Sequence, residues 1–389
     1  MAEHMYDCIV VGAGPAGSTV AYNLAKHHKR VLVLERYTFP KYKPCSGGVT
    51  AKTYKALDFP IDGLIKSRSK NIILAVRHKR YRKICLCDVI TYMVARKEFD
   101  LYLAQKAREQ GASILEGTKT YNIKYDGKLF SLETSAGKFE SAYLVGADGA
   151  NSFVNRSLKI VPTDVKAFAV EIHHPAEPEI AARYQQTFEL GIVPHGHLWI
   201  FSHQASLSIG AYTTSAATAK DLKQYLRDYL HKLGFHNYDE KEIRGHIIPS
   251  YGINYRQPPL PCILVGDAGG FCDYLSGEGI FYAMKTAKIA SEVICMSLRD
   301  NHFYHDVLQR KYDREIIRGL RLAFPFGKIF YSHPAAVFNL ITTHFIARIL
   351  FTAALKGFTY DEVIMKSPSL LWKSLFKPFR IRKMKGVAQ

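Results

Sequence analysis

One stretch near the start of the chain leaves few folds open: Asp7-Cys8-Ile9-Val10-Val11-Gly12-Ala13-Gly14-Pro15-Ala16-Gly17-Ser18. Asp7 to Val11 is an apolar run suited to a buried parallel strand. It breaks into Gly-x-Gly-x-x-Gly, and the segment from Ala16 to Lys26 is helix-forming. A second apolar run, Val31 to Leu34, ends on Glu35. In that register each part has a task in holding a dinucleotide. Gly12 permits the tight turn, Gly14 lets backbone approach a pyrophosphate, and Gly17 lets the helix pack on the strand. The helix N-terminus faces the phosphates, and Glu35 accepts from a ribose hydroxyl. An ordinary glycine turn would have no use for that acid.

The chain has 389 residues, enough for two domains or one large domain with an insertion. Its hydrophobic content, 48%, is that of a globular protein and excludes wholesale disorder. The formal charge of +19 favours an anionic partner: nucleic acid, a membrane surface or an acidic ligand. No nucleic-acid module accompanies the charge, so no nucleic-acid partner is expected. The first apolar run is the glycine-motif strand, not a secretory signal. Seven cysteines are scattered without a repeating spacing, which suits free thiols in a reducing, cytoplasmic setting. Cys85-Leu86-Cys87 is too short for a zinc pair, and no metal is assigned.

Farther along, a loop rich in proline and lysine runs from Tyr37 to Gly48, and Asn71 to Asp88 has the pattern of two short strands. Apolar spacing predicts a helix over Phe99 to Gln110, just after Arg96. Strands are expected at Ser113 to Glu116, Thr120 to Tyr125 and Leu129 to Thr134, the last two joined by a turn at Asp126-Gly127. Between Ala167 and Thr214 the pattern is strand-like and aromatic, with runs at Phe168 to Ile172, Tyr184 to Leu190, His197 to Phe201 and Ser206 to Tyr212, an antiparallel sheet. Asp221 to Leu233 is an amphipathic helix, Cys262 to Asp267 a buried strand, and Gly279 to Leu298 a long helix. From Phe303 to the end the chain is expected to be helical and increasingly basic.

Three more stretches join the first. Gly146-Ala147-Asp148-Gly149 is a second strand-to-turn, and Gly266-Asp267-Ala268-Gly269-Gly270 a third, in which Asp267 can accept from a ribityl chain. Gly277-Glu278-Gly279-Ile280 opens the long helix, whose positive end stabilises negative charge. Arg96 supplies a cation in reach of a pyrophosphate.

In this order the motifs resemble the FAD-dependent oxidoreductases of the p-hydroxybenzoate hydroxylase fold, and within it the geranylgeranyl reductase family. The narrower likeness rests on Lys43-Pro44-Cys45-Ser46-Gly47-Gly48, on Val94-Ala95-Arg96-Lys97-Glu98-Phe99-Asp100, and on Gly266 to Met284. The resemblance implies an α/β protein: a discontinuous Rossmann-like FAD-binding domain, an inserted antiparallel β-sheet substrate domain and a helical C-terminal segment. The expected boundaries are 1–70, 89–160 and 259–300 for the first, 71–88 and 161–258 for the second, and 301–389 for the third. Carried over residue by residue, the FAD contacts fall on Ala16, Glu35, Cys45, Ser46, Gly48, Arg96, Asp267, Gly279 and Ile280. Asp148 and, on the adenine side, Thr120 complete the set. The family's substrate signature, Tyr-x-Trp-x-Phe-Pro, is matched by His197-Leu198-Trp199-Ile200-Phe201-Ser202. Trp199 and Phe201 are kept as pocket residues, while His197 and Ser202 depart from the pattern.

The resemblance implies reduction of carbon–carbon double bonds in a polyprenyl, geranylgeranyl-type lipid or quinone precursor. An isolated alkene has no carbonyl to polarise, so hydride from the flavin must be matched by a proton. Cys45, in a glycine-rich loop after Lys43, and His197 are the candidate proton donors. NAD(P)H or a ferredoxin-type carrier would reduce the flavin. Ser369 to Lys385 interleaves apolar bulk with cations and contains no acid, which suits the plane of an anionic membrane on its cytoplasmic side. Two alternatives stand beside this reading: a flavin monooxygenase or halogenase acting on an aromatic compound, and a membrane-associated flavin-binding protein without catalysis.

Overall fold

A computed structural model describes residues 5–366 and 379–386. The chain forms two compact units. The first comprises Met1–Lys43, Arg96–Lys166 and Ile248–Arg321, the second Pro44–Ala95, Ala167–Ile247 and Leu322–Gln389.

The first unit is built on a seven-stranded sheet. Met5–Val11 lies at its centre, parallel to Val31–Leu34 on one side and Gly137–Gly146 on the other. Four consecutive residues of each inner strand, Cys8 to Val11 and Val31 to Leu34, are buried, as the continuous apolar runs require. Ser113–Leu115 extends the sheet beyond Val31–Leu34, and Cys262–Leu264 pairs with Gly137–Gly146, both parallel. The hairpin expected at Asp126-Gly127 is present, with Thr120–Tyr125 antiparallel to Phe130–Thr134. Helices Pro15–Lys26, Arg96–Glu109 and Ile280–Asp300 pack as a layer, and the Ser291 hydroxyl donates to the Val20 carbonyl at 3.4 Å.

The second unit holds an eight-stranded sheet. In spatial order its strands are Arg244–Pro249, Lys166–Pro175, Ser206–Thr213, Gly196–Ser202, Gln186–Leu190, Asn71–Val76, Arg80–Cys85 and Arg380–Met384. One face buries Leu198, Ile200, Ile209 and Ala211 against Leu222–Lys232 and Pro178–Tyr184. The other buries Ile72, Leu74, Val76 and Leu190 against Pro334–Ile341 and its neighbours. Gly48–Thr50, Thr91–Val94 and Ile65–Ser69 form a small separate sheet.

Two local expectations differ from the structure. Pro178–Tyr184 is a helix between the first two expected strands and takes in Tyr184, where the second was expected to begin; proline stands at its first turn, where the missing N–H costs nothing. The C-terminal residues are not helical throughout: Arg380–Met384 is a strand antiparallel to Arg80–Cys85, with Ile381 opposite Ile84. Alternation places Ile381 in one apolar layer and Met384 in the other, while the arginines stay wet. The rest of the proposed membrane stretch, from Ser369 to Pro378 and including Trp372, lies outside the described residues. Among the described residues no single helix is long and apolar enough to cross a membrane. Pro334–Ile341 and His344–Lys356 reach that length only together, and they meet at 82°.

Candidate functional site

The glycine corner of the first unit is set by close approach. Gly12 has φ +99°, and a Cβ there would stand 2.5 Å from the Ala147 carbonyl oxygen. A Cβ on Gly17 would stand 1.8 Å from the Gly12 carbonyl oxygen. Both positions are glycine because the fold demands it. Gly14 is different. It has an ordinary φ of −79°, and a Cβ there meets nothing within 4 Å. The fold does not need glycine at 14, so the open space beside it is where a ligand's bulk fits.

Glu35 closes the corner. Its buried carboxylate accepts from the Ala13 N–H at 2.7 Å and the Tyr37 N–H at 3.0 Å, and it pairs with Lys41. Three donors leave about one of its four lone-pair positions for a ribose hydroxyl. Lys41 was not singled out from the sequence, because a lysine in a basic loop carries no local signal. Just beyond, the Thr118 N–H donates to the Glu35 carbonyl at 2.8 Å, and Thr120 buries a hydroxyl that has no hydrogen-bond partner.

Two helix N-termini in this unit lack a side-chain cap and carry no acid in the first turn: Pro15–Lys26, with Ala16 in that turn, and Ile280–Asp300 after Gly279. Uncapped N–H groups with the positive end of the helix dipole suit phosphate or another anion. The turn Gly266–Gly269 joins them. A Cβ on Gly266 would lie 3.1 Å from the Ala16 Cβ, and one on Gly279 would lie 3.4 Å from Asp267 Oδ1. Ala16, Asp267, Gly279 and Ile280 are therefore brought together, with Lys43 3.8 Å from Asp267. Tyr251, which the sequence did not reveal, braces this turn: its ring lies where a Cβ on Gly270 would fall, at 2.3 Å.

Asp148 accepts through Oδ2 from the N–H groups of Phe153 and Val154 at 2.6 and 3.1 Å. Its Oδ1 is buried without a partner, and burial holds the carboxyl above the usual range. Arg96 is held rather than loose: Nε and Nη2 each bond the Asp100 carboxylate at 2.8 Å, one helical turn on. Asp100, only 1% exposed, is the residue that fixes it. The open cradle at Gly14, two uncapped helix starts and the orphaned Asp148 and Thr120 oxygens fit a dinucleotide with a diphosphate.

In the second unit, Trp199 and Phe201 share the sheet face with His197 because alternate residues point the same way. The Trp199 indole covers Gly210 on the next strand and donates to Ser208 at 3.2 Å. Phe188 meets Phe201 edge-on at 5.3 Å. His197 is buried in this aromatic layer, bonded to the Tyr331 hydroxyl at 2.9 Å and stacked on its ring. Burial pulls its pKa down to about 4, which favours the neutral ring at neutral pH.

Gly48 lies against Phe201, at 3.6 Å from a Cβ built there, which sets the Cys45–Gly48 loop over this end of the sheet. The Cys45 N–H donates to Glu171, the Ser46 carbonyl bonds His203 Nε2 at 3.0 Å, and the Gly47 N–H reaches the Cys45 sulfur at 3.5 Å. Glu171, His173 and His203 were not foreseen. Glu171 and His173 are two apart on one strand, but only the pairing of the sheet shows which loop they face.

The comparisons agree with this geometry. The FAD binding domain family matches residues 5–197. An uncharacterized protein of Methanosarcina barkeri is 45% identical over 361 residues, covering 93% of each chain. Geranylgeranyl diphosphate reductase of Rhodobacter capsulatus is 29% identical over 306 residues, covering 76% of each. The crystal structure of a geranylgeranyl bacteriochlorophyll reductase-like protein from Thermoplasma acidophilum superposes with a TM-score of 0.80 at 20% identity. It covers 94% of this chain and 99% of the other. Fold and site together define an FAD-dependent oxidoreductase. Within that class the chain is similar to geranylgeranyl reductases.

Proposed function

We propose that this enzyme reduces carbon–carbon double bonds in a polyprenyl chain, carried on a lipid or a quinone precursor. The observation that carries the reading is the buried aromatic face of Phe188, Trp199 and Phe201 beneath the Cys45–Gly48 loop. It offers an isoprenoid a dry apolar wall, where each buried CH₂ contributes about 0.8 kcal/mol. The reductase named among its relatives supports the same substrate class.

Gly12, Gly14, Ala16, Gly17, Glu35, Arg96, Thr120, Asp148, Asp267, Gly279 and Ile280 are the proposed FAD residues, with Cys45, Ser46 and Gly48 as further contacts. Bound there, FAD would supply hydride chemistry. The residues of the chain hold the alkene, exclude water and furnish the proton. NAD(P)H or a ferredoxin-type carrier is the proposed source of electrons.

Contact with an anionic membrane surface accompanies a lipid substrate. Phe326, Ile329, Leu340, Phe345 and Leu350 expose apolar side chains in a segment that also carries Lys328, Arg348 and Lys356, and this supports such a contact. A rise in Trp372 fluorescence on adding anionic liposomes is the expected signature; no change at low salt removes it.

The decisive experiment purifies the protein with its native lipids and reduces it with dithionite. A gain of two mass units per double bond in a bound isoprenoid is expected. If no isoprenoid co-purifies and no added prenyl substrate gains mass, the reading fails.

A further inference from the structure

The outer edge of the second unit's large sheet carries a charge pattern that works against its own strand pairing. Arg380–Met384 lies antiparallel to Arg80–Cys85, and the register sets Arg382 opposite Lys83 and Lys383 opposite Arg82. Like charges directly opposite each other destabilise a strand pair. The two pairs fall on alternate faces, so the edge is positive on both. Residues 77–83, 322–358 and 379–386 together hold twelve lysines and arginines and no aspartate or glutamate. Among the described residues no acid pairs with Arg82, Lys83, Arg382 or Lys383. A cationic outer strand is an ordinary guard against edge-to-edge association. That guard needs charge on the outer strand alone, whereas here the inner neighbour repeats it at the facing positions.

The same edge is packed onto apolar helices. Arg80 donates through Nη1 to the Asn339 side chain at 2.8 Å, and its guanidinium lies 5.0 Å from the centre of the Phe338 ring. Arg82 lies 5.8 Å from that ring, so two cations share one aromatic partner. At the start of the outer strand, Phe379 meets His344 edge-on at 5.3 Å and lies 5.8 Å from the Arg348 guanidinium. Pro334–Ile341 and His344–Lys356 are thus joined to the cationic edge, and both present bare apolar side chains. Leu340 is 53% exposed and Phe345 54%. Apolar bulk beside unneutralised charge suits neither water nor a protein core. It matches the boundary between lipid headgroups and acyl chains, where long cationic side chains keep their heads at the phosphates and apolar ones sink beside them.

We propose that this edge and the two helices joined to it form the docking surface for an anionic phospholipid bilayer. The proposal rests on the lipid-substrate reading and deepens it, by naming the elements that meet the membrane. Because the cations stand on both faces, the sheet meets the headgroups edge-on. Lipid phosphates settle between the facing cations, Lys83 with Arg382 and Arg82 with Lys383, and turn a repulsive ladder into a bridged one. Leu340 and Phe345 enter the acyl boundary beside them. A nucleic acid would answer the charge but would leave Leu340 and Phe345 in water.

The test sediments the full-length protein with vesicles of phosphatidylcholine alone or of an equimolar mixture with phosphatidylglycerol. Wild type should bind the mixed vesicles, release them as salt rises, and ignore the neutral ones. The double variant Arg382→Gln, Lys383→Gln should bind the mixed vesicles about thirtyfold more weakly, since each cation at a membrane surface accounts for about fivefold. Its Tm should stay level or rise, because facing like charges are relieved. A double variant that changes in stability but binds vesicles as wild type does overturns the proposal. So does a wild type that binds double-stranded DNA as tightly as the mixed vesicles. Phe345→Gln should also weaken vesicle binding, and full affinity there overturns the apolar half of the surface. No prenyl turnover enters these measurements. Their failure strikes the surface alone, whereas an enzyme that reduces no isoprenoid strikes the functional reading.

Discussion

The indole of Trp199 lies over Gly210 so closely that a Cβ built on Gly210 would stand 2.1 Å from its Cζ2. The two residues face each other across adjacent strands, and the contact sets the height of the aromatic wall. Gly210→Ala must therefore lift or rotate the ring. Overpacking of this kind costs about 1–3 kcal/mol. The loss should appear in urea unfolding, and it should come with weaker binding of a prenyl substrate while FAD is retained. If stability and substrate binding are unaltered, the ring is not held as described.

The three glycines of the first motif should separate in their effects. Gly17→Ala places a Cβ 1.8 Å from a carbonyl oxygen and should cost about 3 kcal/mol or more, or prevent folding. Gly14→Val enters open space at an ordinary φ and, as a poorer N-cap than glycine, should cost only about 1 kcal/mol. It should nevertheless lose FAD, by at least tenfold in Kd, read by the flavin that co-purifies and by titration. A Gly14→Val protein that binds FAD normally would show that the cradle is not used.

These contrasts also explain what the sequence disclosed. The glycine motif, Glu35, Asp267 and the start at Gly279 are legible as positions because each sits within a few residues of a strand or helix end. Glu171 is not legible in that sense: it bonds Cys45 across 126 residues of chain, a distance that only sheet pairing closes. The protonation of His197 is hidden for a related reason. A histidine beside an aromatic motif suggests an acid, but its protonation depends on how completely neighbours such as Tyr331, 134 residues away, bury it. The strand Arg380–Met384 hid behind its cations, whose alternation with Ile381 becomes meaningful only once Arg80–Cys85 offers an edge.

Acid should destabilise the second unit over a defined window. His197 and His203, both buried, fall to about 4 from an unfolded value near 6.5. The unfolded chain therefore binds more protons between those values. The stability they contribute is complete above pH 6.5 and is lost as pH falls through about 4. At 1.36 kcal/mol per unit, each site accounts for roughly 3 kcal/mol at most. His173, held above its ordinary value, works in the opposite sense: its contribution is complete below the unfolded value and fades as pH rises through the folded one. Urea unfolding at pH 7, 5.5 and 4.5 should show the fall, and His197→Phe should flatten its share. An identical pH slope in that variant would place His197 in water.

Arg96 and Asp100 give the last prediction, because the resemblance assigns a role to the arginine alone. The guanidinium is 9% exposed and the carboxylate 1%, with two bonds of 2.8 Å between them. Removing one member of so buried a pair leaves the other uncompensated, at about 3–5 kcal/mol. Asp100→Ala should therefore cost more stability than Arg96→Met, whose apolar chain fills part of the volume and whose partner can take up a proton. For the cofactor the order should reverse if Arg96 serves the diphosphate. Arg96→Met would then weaken FAD more than it weakens the fold, while Asp100→Asn, which keeps the shape, would weaken FAD only modestly. Paired measurements of Tm and FAD Kd on the three variants separate the two roles. Should Arg96→Met bind FAD as tightly as wild type, the arginine is a structural partner of Asp100 and nothing more.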